Sequence, residues 1–397
     1  MPAGDLLFQP LELPCGAVLK NRIVKSAMSD SLGDGRGNPT AEQIRLYERW
    51  AGGGAAVCII GEVQGRPEFA EKPGNLVLRP DSDLDALREL ARRGQANGTQ
   101  LWLQLGQAGA MAHPPIGTPK GPSAIDIPGL QCEAMSREEI AAVPGEFAAT
   151  AKLARDLGFG GVQVHAAHGF LLSQFLSPLF NRREDAYGGS GENRMRLLLE
   201  VIGAVRDAVG PDFPVALKLN ATDQIEGGFG NEDALEVVAA LDGTSIDLID
   251  ISGGTYFPGA KSASGSGGKG PYFTGFARQA RRRTGKPLMV TGGFKAFQLA
   301  VDAVASGDTD AVGLARALVL DPDLPDKWQA GDGADPAFPR FADAPEGGIT
   351  AWYTLRLTDL ANDRETPGSR DAVSALKDYN ERDKKRASQW NARFYAL

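Results

Sequence analysis

Cysteine and histidine are both scarce, at three residues each in 397. Cys15, Cys58 and Cys132 stand far apart, which excludes a disulfide framework, a cysteine zinc site and an iron–sulfur cluster. Reduced thiols suit a cytoplasmic protein. No apolar run reaches about 18 residues, so no transmembrane helix is expected. The opening MPAGDLLFQPLELPCG lacks a basic n-region and an apolar h-region, and does not read as a signal peptide. Basic charge is in deficit: 42 Lys and Arg against 50 Asp and Glu leave a net charge of −8. That argues against nucleic acid or an anionic membrane as a main partner. Glycine, in contrast, is plentiful at 50 residues, which predicts many tight turns or ligand loops. The hydrophobic share of 42% supplies a large core.

Eight β-rich apolar runs occur in order, at 23–28, 55–63, 99–106, 161–166, 214–221, 248–254, 287–293 and 310–317. Several are nearly continuous in hydrophobicity, as parallel strands covered on both faces should be. Helical patterns lie between them, at 40–54, 81–98, 136–158, 192–210, 231–243, 272–285 and 294–307. The third opens with a capping box, Ser136 to Glu139, and holds Pro144, which predicts a kink or a split. Alternation of this kind implies a parallel sheet, and eight repeats over roughly 20–330 imply an α/β fold of the closed (β/α)8 TIM-barrel type. An open doubly wound sheet is the alternative, but no dinucleotide fingerprint follows the first strand. A literal G-x-G-x-x-G at Gly265, Gly267 and Gly270 follows no strand and runs into Pro271, so it reads as a flexible loop.

A barrel carries its active site at the C-terminal strand ends. In strand order these ends offer Ser26, Ala27, Met28 and Ser29; Gly61 and Glu62; Gln104 and Gln107; His165 and His168; Lys218 and Asn220; Ser252, Gly253 and Gly254; Thr291, Gly292 and Gly293; and Ala315 and Arg316. Gly292 and Gly293 let backbone N–H groups approach an anion, and Arg316 can clamp a phosphate. Gln104 carries both donors and an acceptor for the edge of a heterocycle, and Lys218 in the lumen needs an electron-rich partner. His165 and His168, three apart in HAAHGF, admit three readings. A metal site would need a third ligand, which nothing indicates. Two core histidines satisfied by backbone are a second reading. Two donors aimed at one substrate oxygen are the third.

Together these segments resemble the old yellow enzyme family of FMN-dependent oxidoreductases, in its single-domain branch. The likeness rests on NRIVKSAM (21–28), LQLGQAG (103–109), HAAHGFLLSQFLSPLFNRREDAYGGSGENR (165–194), VTGGF (290–294) and GLARAL (313–318). It implies one FMN-binding domain over 1–397, with an N-terminal hairpin, a barrel core at about 20–330 and a C-terminal helical extension at about 341–397. It implies NADPH or NADH as reductant, a small-molecule substrate and a homodimer or higher homo-oligomer. Ser26, Ala27 and Met28 would line the flavin through main chain, with Ser29 near its O4 and Gly61 beside it. Gln104 would pair with the pyrimidine edge, and Lys218 would sit by N1 and O2, where relatives often have Arg. Gly292, Gly293, Ala315 and Arg316 would hold the phosphate. His165 and His168 match the pair that binds a substrate carbonyl or nitro oxygen.

The family usually has a proton-donating Tyr two residues after the second histidine. Here Phe170 stands there and has no proton to give. Slow reduction of simple enones is therefore expected, since general acid catalysis is worth ~10²–10⁴-fold. Ser29 and Ser31 are poor acids, and Tyr256 and Tyr272 are other candidates. The resulting readings are an ene- or nitro-reductase, an FMN-dependent isomerase or desaturase, and a non-catalytic flavin-binding barrel. Two long loops, 107–135 and 255–271, are expected to act as lids or to lack order; the first holds His113, without a role, and the second Lys261 and Lys269. The charged tail KDYNERDKKRASQWNARFYAL reads as a solvated face, with Trp390, Phe394 and Tyr395 free to dock on the barrel or on a neighbouring subunit.

Overall fold

The computed structural model describes residues 3–260, 270–332, 334–366 and 368–395. Lys261, Lys269, Gly265 and Gly267 of the second expected loop lie outside the described residues. All eight expected strands form, as β1 (Ile23–Ser29), β2 (Val57–Gln64), β3 (Gln100–Leu105), β4 (Gly161–Ala166), β5 (Val215–Asn220), β6 (Leu248–Ser252), β7 (Leu288–Thr291) and β8 (Ala311–Leu314). They pair in parallel in chain order, and β8 returns to β1 (Val312 opposite Ile23), which pairs with β2 (Val24 opposite Val57). The sheet is therefore closed. Every residue of β2, β4, β5 and β6 is buried, because one face looks into the lumen and the other against helices.

The N-terminal hairpin joins Leu11–Glu12 to Val18–Leu19 in antiparallel pairing. Leu11, Leu13 and Leu19 pack against Val24, Val57, Trp102, Leu248, Met289 and Ala311, which lie at the N-terminal strand ends, so the hairpin plugs the bottom of the barrel. Function is thereby left to the opposite rim.

Between the strands run α1 (Ala41–Ala51), α2 (Leu84–Arg93), α3 (Arg137–Asp156), α4 (Gly191–Val209), α5 (Asn231–Asp242), α6 (Thr274–Ala280) and α7 (Phe297–Ala305). The capping box at Ser136 is present in both directions, with Glu139 N–H to Ser136 Oγ at 3.2 Å and Ser136 N–H to Glu139 Oε2 at 2.8 Å. Of the kink or split expected at Pro144, the split is absent, and α3 runs through it. Val143, Phe147, Ala151 and Ala154 are buried on one face of α3, and that packing outweighs one missing helix hydrogen bond. Residues 107–135 also differ from expectation. They fold into short strands at Lys120–Gly121, Ile125–Ile127 and Leu130–Ala134 rather than lacking order.

The C-terminal extension forms α8 (Gly348–Ala361) and α9 (Ala372–Phe394). Helix α8 packs on α1, and α9 packs on α8. The far end of α9 reaches the C-terminal rim. There fully buried Trp390 and its neighbour Phe394 pack on Ala70, Val77 and Ile116. Arg386 donates to Ser31 O, and Asn391 donates to Pro115 O at 2.8 Å. The charged tail is thus only partly a solvated face, and its aromatics dock on the chain's own barrel. Trp390→Ala should cost about 3–5 kcal/mol of that docking. Hydrogen exchange should then quicken at the amides of 372–394 while the barrel strands keep their protection.

Candidate functional site

Strand register brings the rim residues together. Gln104 on β3 lies opposite Gln163 on β4, His165 opposite Lys218 on β5, and Lys218 opposite Asp250 on β6. Asn220 lies opposite Ser252, Thr291 on β7 opposite Gly313 on β8, and Ser29 on β1 opposite Gly61 on β2. Neighbouring rungs of one closed sheet thus collect these residues at one end of the barrel.

The core of this end is Asp250, which is fully buried. Its Oδ2 accepts from Lys218 Nζ and from Gln163 Nε2 at 3.0 Å, and its Oδ1 accepts from Thr291 Oγ1 at 2.7 Å. A buried carboxylate without such partners would be strongly unfavourable. These bonds fix the direction of all those beyond them. Gln163 has spent its amide N–H on Asp250, so its Oε1 accepts from Gln104 Nε2, at 2.7 Å. The Thr291 hydroxyl has spent its hydrogen likewise, so Ser26 donates to it, at 2.8 Å. Gln104 is left with Oε1 free of any hydrogen bond among the described residues. The barrel mouth therefore presents an acceptor at Gln104 and spare ammonium N–H groups at Lys218, which is 1% exposed. Sequence alone paired Lys218 with a cofactor, whereas its first partner is Asp250. Asp250 and Gln163 went unmarked, although each is a polar residue between apolar neighbours, in LIDIS and GVQVHA.

Arg316 leads the short helix Arg316–Leu320 directly after β8. No carboxylate pairs with it among the described residues; its guanidinium lies 5.5 Å from the ring centre of Tyr353 in α8. Gly292 and Gly293 have φ of 123° and 85°, and a Cβ on Gly293 would meet Gly270 O at 2.1 Å. Only glycine permits this turn. Ser29 is half-buried and accepts from Asn75 Nδ2 at 3.3 Å. A flavin mononucleotide fits this donor set. Its imide N–H matches the free Gln104 oxygen, its anionic pyrimidine locus the Lys218 ammonium, and its phosphate the unpaired Arg316.

His168 has φ of 60° and is held there by its N–H to Asn220 Oδ1 at 3.1 Å. The rings of His165 and His168 are 5.2 Å apart between centres, nearly perpendicular. Burial and the Lys218 charge push His165 down to about 3, and burial holds His168 well below its ordinary value. Both are neutral imidazoles. His165 Nδ1 accepts from Ala167 N–H at 3.4 Å, so its Nε2 carries the hydrogen. His168 Nε2 lies 2.9 Å from Ser252 Oγ. Buried Phe170 packs on His165 at 4.9 Å and on Tyr256 at 5.9 Å between ring centres. Tyr272 packs instead on Phe273, and His113 is half-buried in a loop whose backbone joins Ala70. Among the described residues, no group of three or more His, Cys, Asp or Glu is placed to hold a metal ion.

One rim residue gained a role only from the structure. Glu62 is 6% exposed, and its Oε1 lies 3.0 Å from His165 Nε2, yet off the line of a hydrogen bond and with no other partner. Burial pushes its carboxyl up to about 8. The folded state therefore holds a proton that the unfolded chain releases near its ordinary value, and stability should fall as pH rises from about 4.5 to about 8. Glu62→Gln should flatten that slope; urea unfolding of parent and variant at the two ends of the window measures it. Asp250→Asn should cost about 3–5 kcal/mol in the same assay, because it leaves the Lys218 charge unpaired.

Comparison with known proteins agrees with this geometry. Residues 6–333 match the NADH:flavin oxidoreductase / NADH oxidase family. The chain is 33% identical over 351 residues to the NADH-dependent flavin oxidoreductase iliE of Hypocrea jecorina, covering 80% of this chain and 87% of that one. It is 36% identical over 355 residues to iliE of Neonectria sp., again over 80% of this chain, but spans only 46% of that relative's length. Morphinone reductase, solved in complex with tetrahydroNAD, superposes with a TM-score of 0.72 at 25% identity, over 84% of this chain and 93% of that one. The chain belongs to the NADH:flavin oxidoreductase / NADH oxidase family, the old yellow enzymes.

Proposed function

We propose that this chain is an FMN-dependent, NAD(P)H-linked oxidoreductase that reduces an alkene conjugated to a carbonyl, or a nitro compound. The observation that carries the reading is the pair of neutral imidazoles, His165 and His168, at a mouth whose remaining polar groups suit a flavin. FMN, when bound, supplies the hydride chemistry, with NADH or NADPH as reductant. Gln104, Lys218, Gly292, Gly293, Ala315 and Arg316 would hold it, and Ser26, Ala27, Met28, Ser29 and Gly61 would line it. His165 Nε2–H would donate to the substrate oxygen. Ser252 would donate to His168 Nε2, which leaves His168 Nδ1–H for the same oxygen. Neutral donors in a dry site stabilise developing negative charge without a competing proton transfer.

Phe170 favours a second reading, an isomerase or desaturase, because it cannot protonate the substrate carbon. The two differ in stoichiometry: a reductase consumes one nicotinamide per turnover, whereas an isomerase consumes none. The reading also includes a cytoplasmic homo-oligomer. The free cysteines Cys15, Cys58 and Cys132 support the cytoplasmic part of that reading.

The purified protein should show flavin absorbance, bleach anaerobically with NADH or NADPH, and recolour with cyclohexenone or a nitroarene. His165→Ala should lower enone turnover by ~10²–10³-fold, the value of one lost oxyanion donor. A protein that takes up no FMN would remove all three functional readings, and one that binds FMN but ignores both nicotinamides would remove the reductase reading.

A further inference from the structure

The tyrosine missing at Phe170 leaves a reductase without an evident acid, and the mouth holds an acid with no evident task. Glu62 leads off the C-terminal part of β2, and 6% of its surface is exposed. Gly106, directly after β3, leaves room for its carboxyl. A Cβ on Gly106 would stand 2.2 Å from Glu62 Oε2, so any other residue there would evict the carboxyl. From this place Oε1 lies 3.0 Å from His165 Nε2, the atom assigned above to the substrate oxygen, and has no hydrogen-bond partner. Phe170 packs on the same imidazole. The α-carbon of a conjugated carbonyl is two bonds from its oxygen, so a group beside that oxygen's donor can reach it.

We propose that Glu62 is the acid that protonates the substrate carbon, in place of the phenol that Phe170 lacks. The proposal rests on the reductase reading. The hydride delivered to the β-carbon displaces the C=C electron pair toward the oxygen held by His165 and His168. The Glu62 O–H bond then breaks, a C–H bond forms at the α-carbon, and the carbonyl is restored. The carboxylate regains its proton from water. The charged and titratable groups that face Glu62 are Lys218, His165, Glu71 and Tyr256. Lys218 favours the carboxylate, but burial outweighs it, so the carboxyl is protonated at neutral pH. Tyr256, packed beside Phe170 and 61% exposed, is the competing acid.

The ratio of enone to nitroarene turnover isolates the step, because nitro reduction needs no carbon protonation. Glu62→Gln should lower that ratio by ~10²–10⁴-fold, the usual worth of a general acid. Phe170→Tyr should restore much of it in the Glu62→Gln background, and Glu62→Asp should fall between. Flavin absorbance shows that each variant keeps its fold. Infrared spectroscopy gives a readout apart from turnover: a carboxylic acid C=O band present in the parent at neutral pH and absent from Glu62→Gln. An unchanged ratio in Glu62→Gln, a ratio lowered by Tyr256→Phe instead, or no such band would overturn the proposal. A parent that no nicotinamide reduces would remove the reductase reading itself, and the proposal with it. A parent that reduces both substrates, with Glu62→Gln keeping its ratio, would remove the proposal alone.

Discussion

A carboxylate sealed inside a barrel must spend every lone pair it can, and Asp250 does so on Lys218, Gln163 and Thr291. The bonds to Gln163 and Thr291 then fix the direction of the hydrogen bonds beyond them. The Gln163–Gln104 branch ends in a free acceptor oxygen. The Thr291–Ser26 branch ends in a hydroxyl whose hydrogen is already committed inward. One buried charge thus orders the hydrogen-bond polarity under the cofactor position, and it does so before any ligand arrives. Preorganisation of this kind avoids reorienting dipoles when charge develops.

The second constraint is space. Relative to a site with a phenol at position 170, this chain carries a non-ionising ring there and a buried carboxyl across the same imidazole. Gly106 links the two facts. By omitting a side chain it opens a slot that Glu62 fills, close to His165 and away from water. Burial keeps both histidines uncharged, and it keeps Glu62 protonated. The same desolvation therefore sets the two donors and the acid.

The extension beyond the matched family region belongs to the site as well. Tyr353 of α8 lies over the Arg316 guanidinium, and α9 ties together the segments after β1, β2 and β3 through Arg386, Trp390 and Asn391. These contacts hold loops that border the mouth, and loops so held are better suited to positioning groups than free ones.

The sequence by itself determined the architecture, because eight apolar runs at barrel spacing, each covered on both faces, leave few other ways to bury them. It also determined the rim, since a polar residue at the C-terminal end of an apolar strand must emerge where the strands emerge. His165, His168, Gln104, Lys218, Gly292, Gly293 and Arg316 were legible for that reason. It could not show partners across strands. Asp250 opposite Lys218 and Gln163 opposite Gln104 depend on register, which the closed sheet sets as a whole. Pro144 inside an unbroken α3 and the folded segment 107–135 likewise depended on what packs against them. The proton state of Glu62 belongs to the tertiary structure alone. It follows from burial, which outweighs the opposing Lys218 charge, and neither is a property of residues adjacent in the chain.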